Sequence, residues 1–141
     1  MNLAEKEGAL IARYAIIENA QERLAAVVER ARRLPALADA EKIDAHRVPG
    51  CVSRVWLVGT LDGARCRFRL DADSALVKGL AALLCDLYDG GAVQEIVDHD
   101  ARVLESLRLT EHLSPTRRQG LTQVQRAIRA FAAAALEKGA P

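Results

Sequence analysis

The stretch CVSRVWLVGTLDGARCRFRL, residues 51–70, has the pattern of a β-hairpin. Its first half is rich in β-branched and aromatic residues, which favour strands. The Asp62-Gly63 dipeptide that follows favours a tight two-residue turn. Its second half alternates between a polar and an apolar set: Arg65, Arg67 and Arg69 on one face, and Cys66, Phe68 and Leu70 on the other. This alternation predicts a strand with one face on the core and the other in water.

A third strand is predicted beside this hairpin, because two strands alone are only marginally stable in water. The stretch KIDAHRV, residues 42–48, lies directly upstream and has a plausible strand composition. Antiparallel pairing of this segment with the hairpin would complete a small sheet.

Helical patterns flank the hairpin on both sides. Upstream, residues 3–17 and 21–34 carry apolar residues at helical spacing, and Pro35 ends the second pattern. An apolar stripe over residues 76–87 follows the hairpin and stops at Asp-Gly-Gly, residues 89–91. The remaining helices are predicted over 93–98, over 101–109 and from Ser114-Pro115 onward, where serine is a good N-cap and proline a good first residue.

This order of elements predicts an α+β fold. We expect a three-stranded antiparallel sheet packed with helices, with helical N- and C-termini. The chain has 141 residues, which suits one domain over residues 1–141.

Composition argues against two classes of partner. Twenty basic residues stand against 19 acidic ones, so no net charge attracts nucleic acid or an anionic membrane. Aromatic residues make up 4% of the chain, too few for a surface that stacks single-stranded bases. The sequence contains no apolar run that approaches a membrane span, and its N-terminus does not resemble a signal peptide. We therefore expect a cytoplasmic protein that binds neither nucleic acid nor membrane.

The three cysteines differ in their surroundings. Cys51 directly follows the turn dipeptide Pro49-Gly50, which places its thiol where a partner can reach it. Cys66 shares the apolar face of its predicted strand and Cys85 lies beside the apolar stripe of its predicted helix, so both are expected to be buried structural thiols. An accessible thiolate without a metal can attack another sulfur and retain it. Cys51 is therefore the candidate reactive residue.

Two other chemistries remain open for Cys51. A cysteine hydrolase needs a histidine base beside the thiol, and the chain has His46, His99 and His112. A metal site needs three or four ligands at suitable spacing, whereas HRVPGC, residues 46–51, supplies two. We predict neither a metal nor a cofactor.

Arg117 is unusual because it lies in the first turn of the last predicted helix, where the helix dipole disfavours a cation. This placement suggests that its guanidinium binds a carboxylate or carbonyl group of a loop or partner. Asp73 precedes the helix after the hairpin, where an N-cap or first-turn acid is ordinary.

Four segments in order resemble the SufE family of sulfur acceptors, over roughly residues 20–135. The segment VPGCVSRVWLV around Cys51 resembles the family signature. The three others are RLAAVVERARRLPAL before it, and DSALVKGLAALLCDLYDGGAVQEIVDHD and LRLTEHLSPTRRQGLTQVQRAIRA after it.

The resemblance implies a SufE/NifU-type fold and a role in iron–sulfur cluster assembly. In this family a cysteine at the position of Cys51 accepts sulfane sulfur from the persulfide of a SufS-type cysteine desulfurase, a PLP enzyme. The acceptor stimulates that desulfurase and passes the sulfur toward a downstream scaffold protein. Asp73, Arg117 and His112 match positions expected to support the loop or the partner. The chain would therefore be an accessory protein rather than an independent enzyme.

Three alternatives stay open beside this interpretation. A protein of the same fold could hold an iron–sulfur or zinc centre as a scaffold. The chain could instead accept sulfur from a paralogous desulfurase in another sulfur-transfer pathway. It could also act alone as a cysteine hydrolase.

Overall fold

The computed structural model describes residues 1–139, which form six α-helices and two β-strands. In chain order the elements are α1 Leu3–Ala15, α2 Ala20–Arg32, β1 Val55–Asp62, β2 Arg65–Ala72, α3 Ala75–Tyr88, α4 Val93–Asp98, α5 Val103–Ser106 and α6 Pro115–Glu137. Two short 3₁₀ turns, Asp39–Glu41 and Asp44–His46, lie between α2 and β1. The α+β class and the helical termini are confirmed.

The helices begin where side chains can satisfy their first backbone N–H groups. Asn2, Asn19, Ser74 and Ser114 each accept a hydrogen bond from the first turn of α1, α2, α3 and α6, respectively. The helix predicted over residues 101–109 is limited to the single turn of α5, since Arg108 adopts a left-handed φ of 58°.

The hairpin pairs β1 with β2 antiparallel, from Val55 opposite Ala72 to Asp62 opposite Arg65. Its two loop residues are therefore 63 and 64, one position later than the predicted dipeptide. Gly63 has a φ of 62°, which glycine adopts at no steric cost. The predicted alternation along β2 is confirmed, because the arginines are exposed and the residues between them are buried.

The predicted three-stranded sheet is wrong, because the sheet of residues 1–139 contains β1 and β2 alone. The segment predicted as a third strand pairs through one isolated bridge, between Arg47 and Trp56. Pairing cannot extend upstream because residues 44–46 form a 3₁₀ turn. It cannot extend downstream because Gly50, with a φ of 79°, turns the chain away.

The segment between α2 and β1 covers the outer face of the hairpin. Leu37 packs with Trp56 and Val58 in a small buried cluster. The buried carboxylate of Asp71 accepts a hydrogen bond from the backbone N–H of Leu37 at 3.1 Å. Lys42 Nζ also lies 3.3 Å from Asp71 Oδ2. The segment therefore covers part of the outer face of the hairpin, whereas the predicted third strand would have extended its edge.

The main core lies on the other face of the hairpin, around α3. Helices α2 and α6 and strand β2 pack against α3. A Cβ atom on Gly79 would stand 2.9 Å from Val28 Cα, so glycine permits close contact of α2 and α3. Phe131 of α6 lies against Gly59 of β1 in the same way. This packing brings the first turns of α3 and α6 to the loop before β1.

Within the described residues, the structure contains no helix with the length and apolar character needed to cross a membrane.

Candidate functional site

Cys51 lies in a six-residue loop, residues 49–54, that we call the Cys51 loop. The loop is closed at its base, where the Val48 N–H donates to the Val55 carbonyl at 2.8 Å. Gly50 is in contact with α6, since a Cβ atom there would stand 3.2 Å from Gln123 Cγ. The loop therefore packs against α6, while the hydrogen bond between Val48 and Val55 fixes its two ends at the start of β1.

The Cys51 thiol points toward α6 rather than into solvent. It is half-buried, and its Sγ donates to the Gly120 carbonyl oxygen at 3.3 Å. A Cβ atom on Gly120 would stand 3.6 Å from Cys51 Sγ, which is ordinary van der Waals contact. The helix thus offers a carbonyl acceptor and leaves room for the loop at the same position.

A cavity of about 240 Å³ opens beside the thiol. The start of α3 and the first turns of α6 form its far walls, and the Cys51 loop forms the near wall. The lining residues are Cys51, Val52, Ser53, Val77, Ser114, Thr116, Arg117 and Gly120. The lining therefore combines apolar side chains with hydroxyl and guanidinium groups.

Burial raises the pKa of the Cys51 thiol above its ordinary value. The positive charge of Arg47 opposes this shift but is the smaller of the two effects. The thiol in this loop conformation is therefore held protonated, in agreement with its role as a hydrogen-bond donor to Gly120. It is a weaker nucleophile here than an exposed cysteine, since the thiolate is the reactive form.

We expect the alkylation rate of Cys51 to rise with pH along a curve that is shifted to higher pH than the curve of an unhindered thiol. The reason is that the raised pKa keeps the thiolate fraction low at neutral pH. Iodoacetamide labelling followed by peptide mass spectrometry across a pH series measures this curve. The urea-unfolded chain is the control, and coincident curves for the two forms would contradict the expectation.

Arg117 lines the cavity, and its guanidinium contacts a hydroxyl group rather than the carboxylate or carbonyl group that the sequence suggested. Its backbone N–H donates to Ser114 Oγ at 3.2 Å, which caps α6. Its Nη1 donates to Ser74 Oγ at 3.4 Å, and Ser74 Oγ also accepts from the Val77 N–H at 3.3 Å. The guanidinium therefore joins the start of α6 to the start of α3 and remains exposed at the cavity rim.

Asp73 lies at the base of the Cys51 loop but outside the cavity lining. Its Oδ2 accepts from Arg54 Nε at 2.6 Å, and its backbone N–H donates to the Arg54 carbonyl at 3.1 Å. The Arg54 guanidinium lies 5.4 Å from the Trp56 ring centroid. Asp73 thus clamps the end of the loop, while Ser74 rather than Asp73 is the N-cap of α3.

The histidines lie apart from the thiol. His112 is exposed and does not line the cavity. His46 Nδ1 is 2.8 Å from the Glu41 carbonyl, and His99 Nε2 is 3.0 Å from Glu7 Oε1. Within the described part of the chain, no histidine forms a hydrogen bond with Cys51, so the arrangement does not favour a cysteine hydrolase.

The other two cysteines are buried, with Cys66 at 0% and Cys85 at 6% exposure. Burial raises the pKa of both thiols, and the carboxylates of Asp86 and Asp89 add to the effect at Cys85. In residues 1–139, no three side chains of the His, Cys, Asp and Glu type are grouped as metal ligands would be. The geometry therefore favours thiol chemistry at Cys51 over a scaffold site.

Sequence reasoning did not identify Gly120, Gln123, Ser74 or Arg54 as parts of this site. Gly120 carried a usable signal, since a glycine inside an otherwise helical pattern often marks a close approach of another segment. The other three have ordinary surface-helix, cap and loop positions, and the folded chain alone brings them to the thiol.

Two comparisons with known proteins bear on this geometry. Residues 8–132 match the sequence model of the SufE family, described as an Fe-S metabolism associated domain. The fold is similar to the solution structure of a hypothetical protein from Thermus thermophilus, with a TM-score of 0.76. That match has 19% sequence identity and covers 94% of this chain and 96% of the other, so it supports the fold alone.

Proposed function

The chain belongs to the SufE family, with a role in Fe–S metabolism, and from this premise we propose that it is a sulfur acceptor whose carrier residue is Cys51. In this proposal a SufS-type cysteine desulfurase supplies the sulfur, and a downstream scaffold protein receives it. The observation that carries the proposal is the half-buried Cys51 thiol on a short loop, directly beside a cavity that it helps to line. The three free thiols suit a reducing compartment such as the cytoplasm.

The transfer step needs no metal and no added oxidant. The Cys51 thiolate attacks the outer sulfur of the desulfurase persulfide, and a new sulfur–sulfur bond forms at Cys51. The old sulfur–sulfur bond breaks, and the desulfurase cysteine leaves as a thiolate. The cavity of about 240 Å³ has ample room for the one sulfur atom that Cys51 gains.

The loop conformation supports a guarded carrier. With the thiol directed at Gly120, bulk thiols have restricted access to the sulfur. Docking of a desulfurase would favour an open conformation, in which the loss of burial lowers the Cys51 pKa and Arg47 favours the thiolate. The same loop can thus protect sulfur between partners and expose it to one.

Mass spectrometry of the intact chain tests the proposal. The chain is mixed with a cysteine desulfurase and free cysteine, then analysed without reducing agent. We expect the mass to rise by one sulfur atom, located at Cys51 by peptide mapping. The assay is repeated with desulfurases of different groups, and the one that gives the fastest sulfur uptake is identified as the partner. Absence of any gain with every desulfurase would reject the proposal.

We expect Arg117 to position the loop or the docked partner, and its charge alone to be insufficient. The Arg117→Lys variant keeps the positive charge but loses the planar donors that reach Ser74, so uptake should be slowed roughly as much as in Arg117→Ala. The desulfurase-dependent uptake rate measures this. Arg118→Ala, on the neighbouring exposed position, is the control. Full activity in both Arg117 variants would show that Arg117 is merely a solvated surface charge.

We expect Asp73→Arg to loosen the Cys51 loop, because it sets a second guanidinium against Arg54 where a 2.6 Å ion pair now stands. Hydrogen exchange at residues 49–54 should accelerate, and stimulation of the desulfurase should change. Trp56 is the single tryptophan, so its fluorescence reports the disturbed Arg54 contact. Asp62→Arg, at the opposite end of the hairpin, is the control. Unchanged exchange and stimulation in Asp73→Arg would contradict the clamp.

A further inference from the structure

A second cavity, of about 270 Å³, has no part in the proposed sulfur transfer. It lies between the end of α2, strand β2 and the last two turns of α3, and we call it the α2–α3 cavity. The Cys51 cavity lies at the opposite end of α3, beside its first turn. Because α3 has 14 residues, the two cavities are separated by a distance on the order of 20 Å. The α2–α3 cavity is therefore a separate site.

The α2–α3 cavity is lined by apolar side chains from all three elements around it. These are Leu34, Pro35, Phe68, Leu70, Ala82 and Cys85. An apolar cavity of about 150 Å³ is large enough for benzene, so this space accommodates an apolar side chain together with a short stretch of backbone. Apolar clefts that also contain a few directed polar groups are the usual sites for small ligands.

Part of the outer edge of β2 lies beside this cavity without a hydrogen-bond partner. The Cys66 N–H donates to the Gly91 carbonyl at 3.0 Å, and the Cys66 carbonyl accepts from the Gly90 N–H at 2.7 Å. Backbone groups alternate in direction along a strand, so Phe68 and Leu70 also direct theirs away from β1. Within residues 1–139 no hydrogen bond reaches the Phe68 carbonyl or the Leu70 N–H.

These two free backbone groups match one residue of an added parallel strand. In a parallel ladder, one residue donates its N–H to a carbonyl of the neighbouring strand and accepts from the N–H two residues further along. A ligand residue opposite Arg69 would therefore donate to the Phe68 carbonyl and accept from the Leu70 N–H. The edge thus has the donor and the acceptor needed to bind one peptide unit.

The end of α3 favours a cation at one side of the cavity. Asp86 and Asp89 are three positions apart, so their carboxylates lie on the same side of the helix, next to its last carbonyls. Lys6 Nζ already donates to the Asp89 carbonyl at 2.6 Å. Asp89 Oδ1 accepts from the Phe68 N–H at 2.9 Å, which places a carboxylate directly before the free Phe68 carbonyl along β2.

Asp86 has the capacity to bind a further cation. Its Oδ1 lies 3.1 Å from Arg30 Nη2, and in the described part of the chain its Oδ2 has neither a hydrogen bond nor an ion pair. Burial raises the pKa of Asp86, although the positive charges of Arg30, Lys6 and Arg13 oppose this shift. An ammonium group at Oδ2 would therefore stabilise the Asp86 carboxylate.

The two arginines that line the cavity are already paired with carboxylates. Arg30 is bound to Asp86, and the guanidinium of Arg69 is bound to both carboxylate oxygens of Glu41. A ligand carboxylate would have to compete with these intramolecular pairs, whereas a ligand ammonium group meets the unpaired oxygen of Asp86. The charges therefore favour a cationic ligand.

We propose that the α2–α3 cavity binds a dipeptide-sized ligand with a free α-ammonium group. The ammonium group lies between Asp86 and Asp89. The N–H of the second ligand residue donates to the Phe68 carbonyl, and its carbonyl accepts from the Leu70 N–H. The side chain of the first ligand residue then lies on the face of the sheet that carries Phe68 and Leu70, within the apolar part of the cavity.

The segment after α2 limits the length of this ligand. Leu34 and Pro35 line the cavity, and the Leu37 N–H donates to Asp71 on the other face of the hairpin at 3.1 Å. A peptide that continued along β2 beyond Leu70 would meet this segment where it crosses the edge. The site therefore suits a short free peptide better than the terminus of a partner protein.

An NMR titration of the reduced full-length chain with valyl-alanine amide tests the proposal. We expect the Leu70 amide resonance to shift and its hydrogen exchange to slow as the peptide binds. N-acetylation of the peptide removes the ammonium group and should weaken binding by about tenfold or more, as expected for a charge-assisted hydrogen bond. Valyl-N-methylalanine amide, which cannot donate to the Phe68 carbonyl, should also bind more weakly. A peptide extended by three further alanines should gain no affinity.

Asp86→Asn is the informative variant, because it removes the charge and keeps the shape of the side chain. We expect it to weaken binding of valyl-alanine amide and to abolish most of the difference between the free and the N-acetylated peptide. Asp98→Asn, at an exposed position of α4, is the matched control. Circular dichroism verifies that both variants are folded. Sulfur uptake at Cys51 should be unchanged in Asp86→Asn, so this test is independent of the proposed sulfur transfer.

A Leu70 amide that does not respond to the peptide would overturn the proposal. Equal binding of the free and the N-acetylated peptide would do the same, as would unaltered binding by a folded Asp86→Asn chain. An affinity that rises with each added residue would assign the site to the amino terminus of a partner protein, and the dipeptide-sized ligand would then be wrong.

Discussion

The Cys51→Ser variant is expected to gain no sulfur when it is mixed with a cysteine desulfurase and free cysteine. A hydroxyl at this position cannot form the sulfur–sulfur bond on which transfer depends. Serine is close to cysteine in size and can still donate to the Gly120 carbonyl, so the loop should keep its conformation. Loss of uptake would then report lost chemistry rather than a lost structure.

Cys66→Ala and Cys85→Ala are the controls, and both should take up sulfur at a rate near that of the unmodified chain. Their thiols are buried and their pKa values are raised, so neither presents a thiolate to a partner protein. Each substitution removes one buried atom and should cost about 1 kcal/mol of unfolding free energy. Thermal unfolding by circular dichroism measures that cost.

Two outcomes would reject Cys51 as the sole acceptor. One is sulfur uptake by a folded Cys51→Ser chain. The other is loss of uptake in a folded Cys66→Ala chain, because a second thiol would then take part in the transfer.

The helices and the hairpin could be predicted because local chemistry determines them. Serine before proline at 114–115 starts α6, proline at 35 follows the end of α2, and alternation fixes the buried face of β2. Each of these signals acts within a few residues, and tertiary packing here agrees with it. The position of Cys51 after a turn was visible for the same reason.

The third strand could not be excluded by such signals. The composition of residues 42–48 is compatible with a strand. In the structure, however, Asp71 binds the Leu37 N–H and the Lys42 ammonium group, and Lys42 also lies over the Trp56 ring. These contacts join residues that are distant in sequence, and they draw the segment over the outer face. Backbone that would have extended the sheet therefore forms 3₁₀ turns.

The site was predictable only in part for a related reason. Cys51 and Arg117 carry unusual local contexts, whereas the contacts that hold the thiol come from Gly120 and Gln123 on α6 and from the Arg54–Asp73 ion pair. His112, which the family resemblance suggested, stays outside the cavity. Whether a residue faces the thiol depends on how α6 is oriented against the hairpin, and a local pattern does not specify that orientation.

Because the Cys51 thiol packs directly against Gly120, a larger side chain at position 120 should displace the Cys51 loop. In Gly120→Leu, the side-chain atoms beyond Cβ must enter the space that the thiol and the cavity now occupy, since Cβ alone would already stand 3.6 Å from Cys51 Sγ. We expect the thiol to be expelled into solvent. Its pKa should fall toward the ordinary value, and alkylation at neutral pH should accelerate by about tenfold for each unit of that fall.

Gly120→Ala is the matched control. Its single added carbon fits at van der Waals distance from the thiol, so the loop should stay closed and alkylation should stay slow. Alanine in place of glycine inside a helix should also stabilise α6, by up to about 1 kcal/mol. The pair thus separates the effect of expelling the thiol from the effect of helix propensity, which favours both variants over glycine.

The functional measurement is the rate at which a persulfide formed on Cys51 loses its outer sulfur to glutathione. If burial against α6 guards the persulfide, then glutathione should strip sulfur from Gly120→Leu much faster than from Gly120→Ala, even though both are loaded by the same desulfurase. Mass spectrometry at intervals after loading gives both decay rates. Equal decay in the two folded variants, with equal alkylation of their empty thiols, would mean that α6 neither shields the Cys51 sulfur nor sets its reactivity.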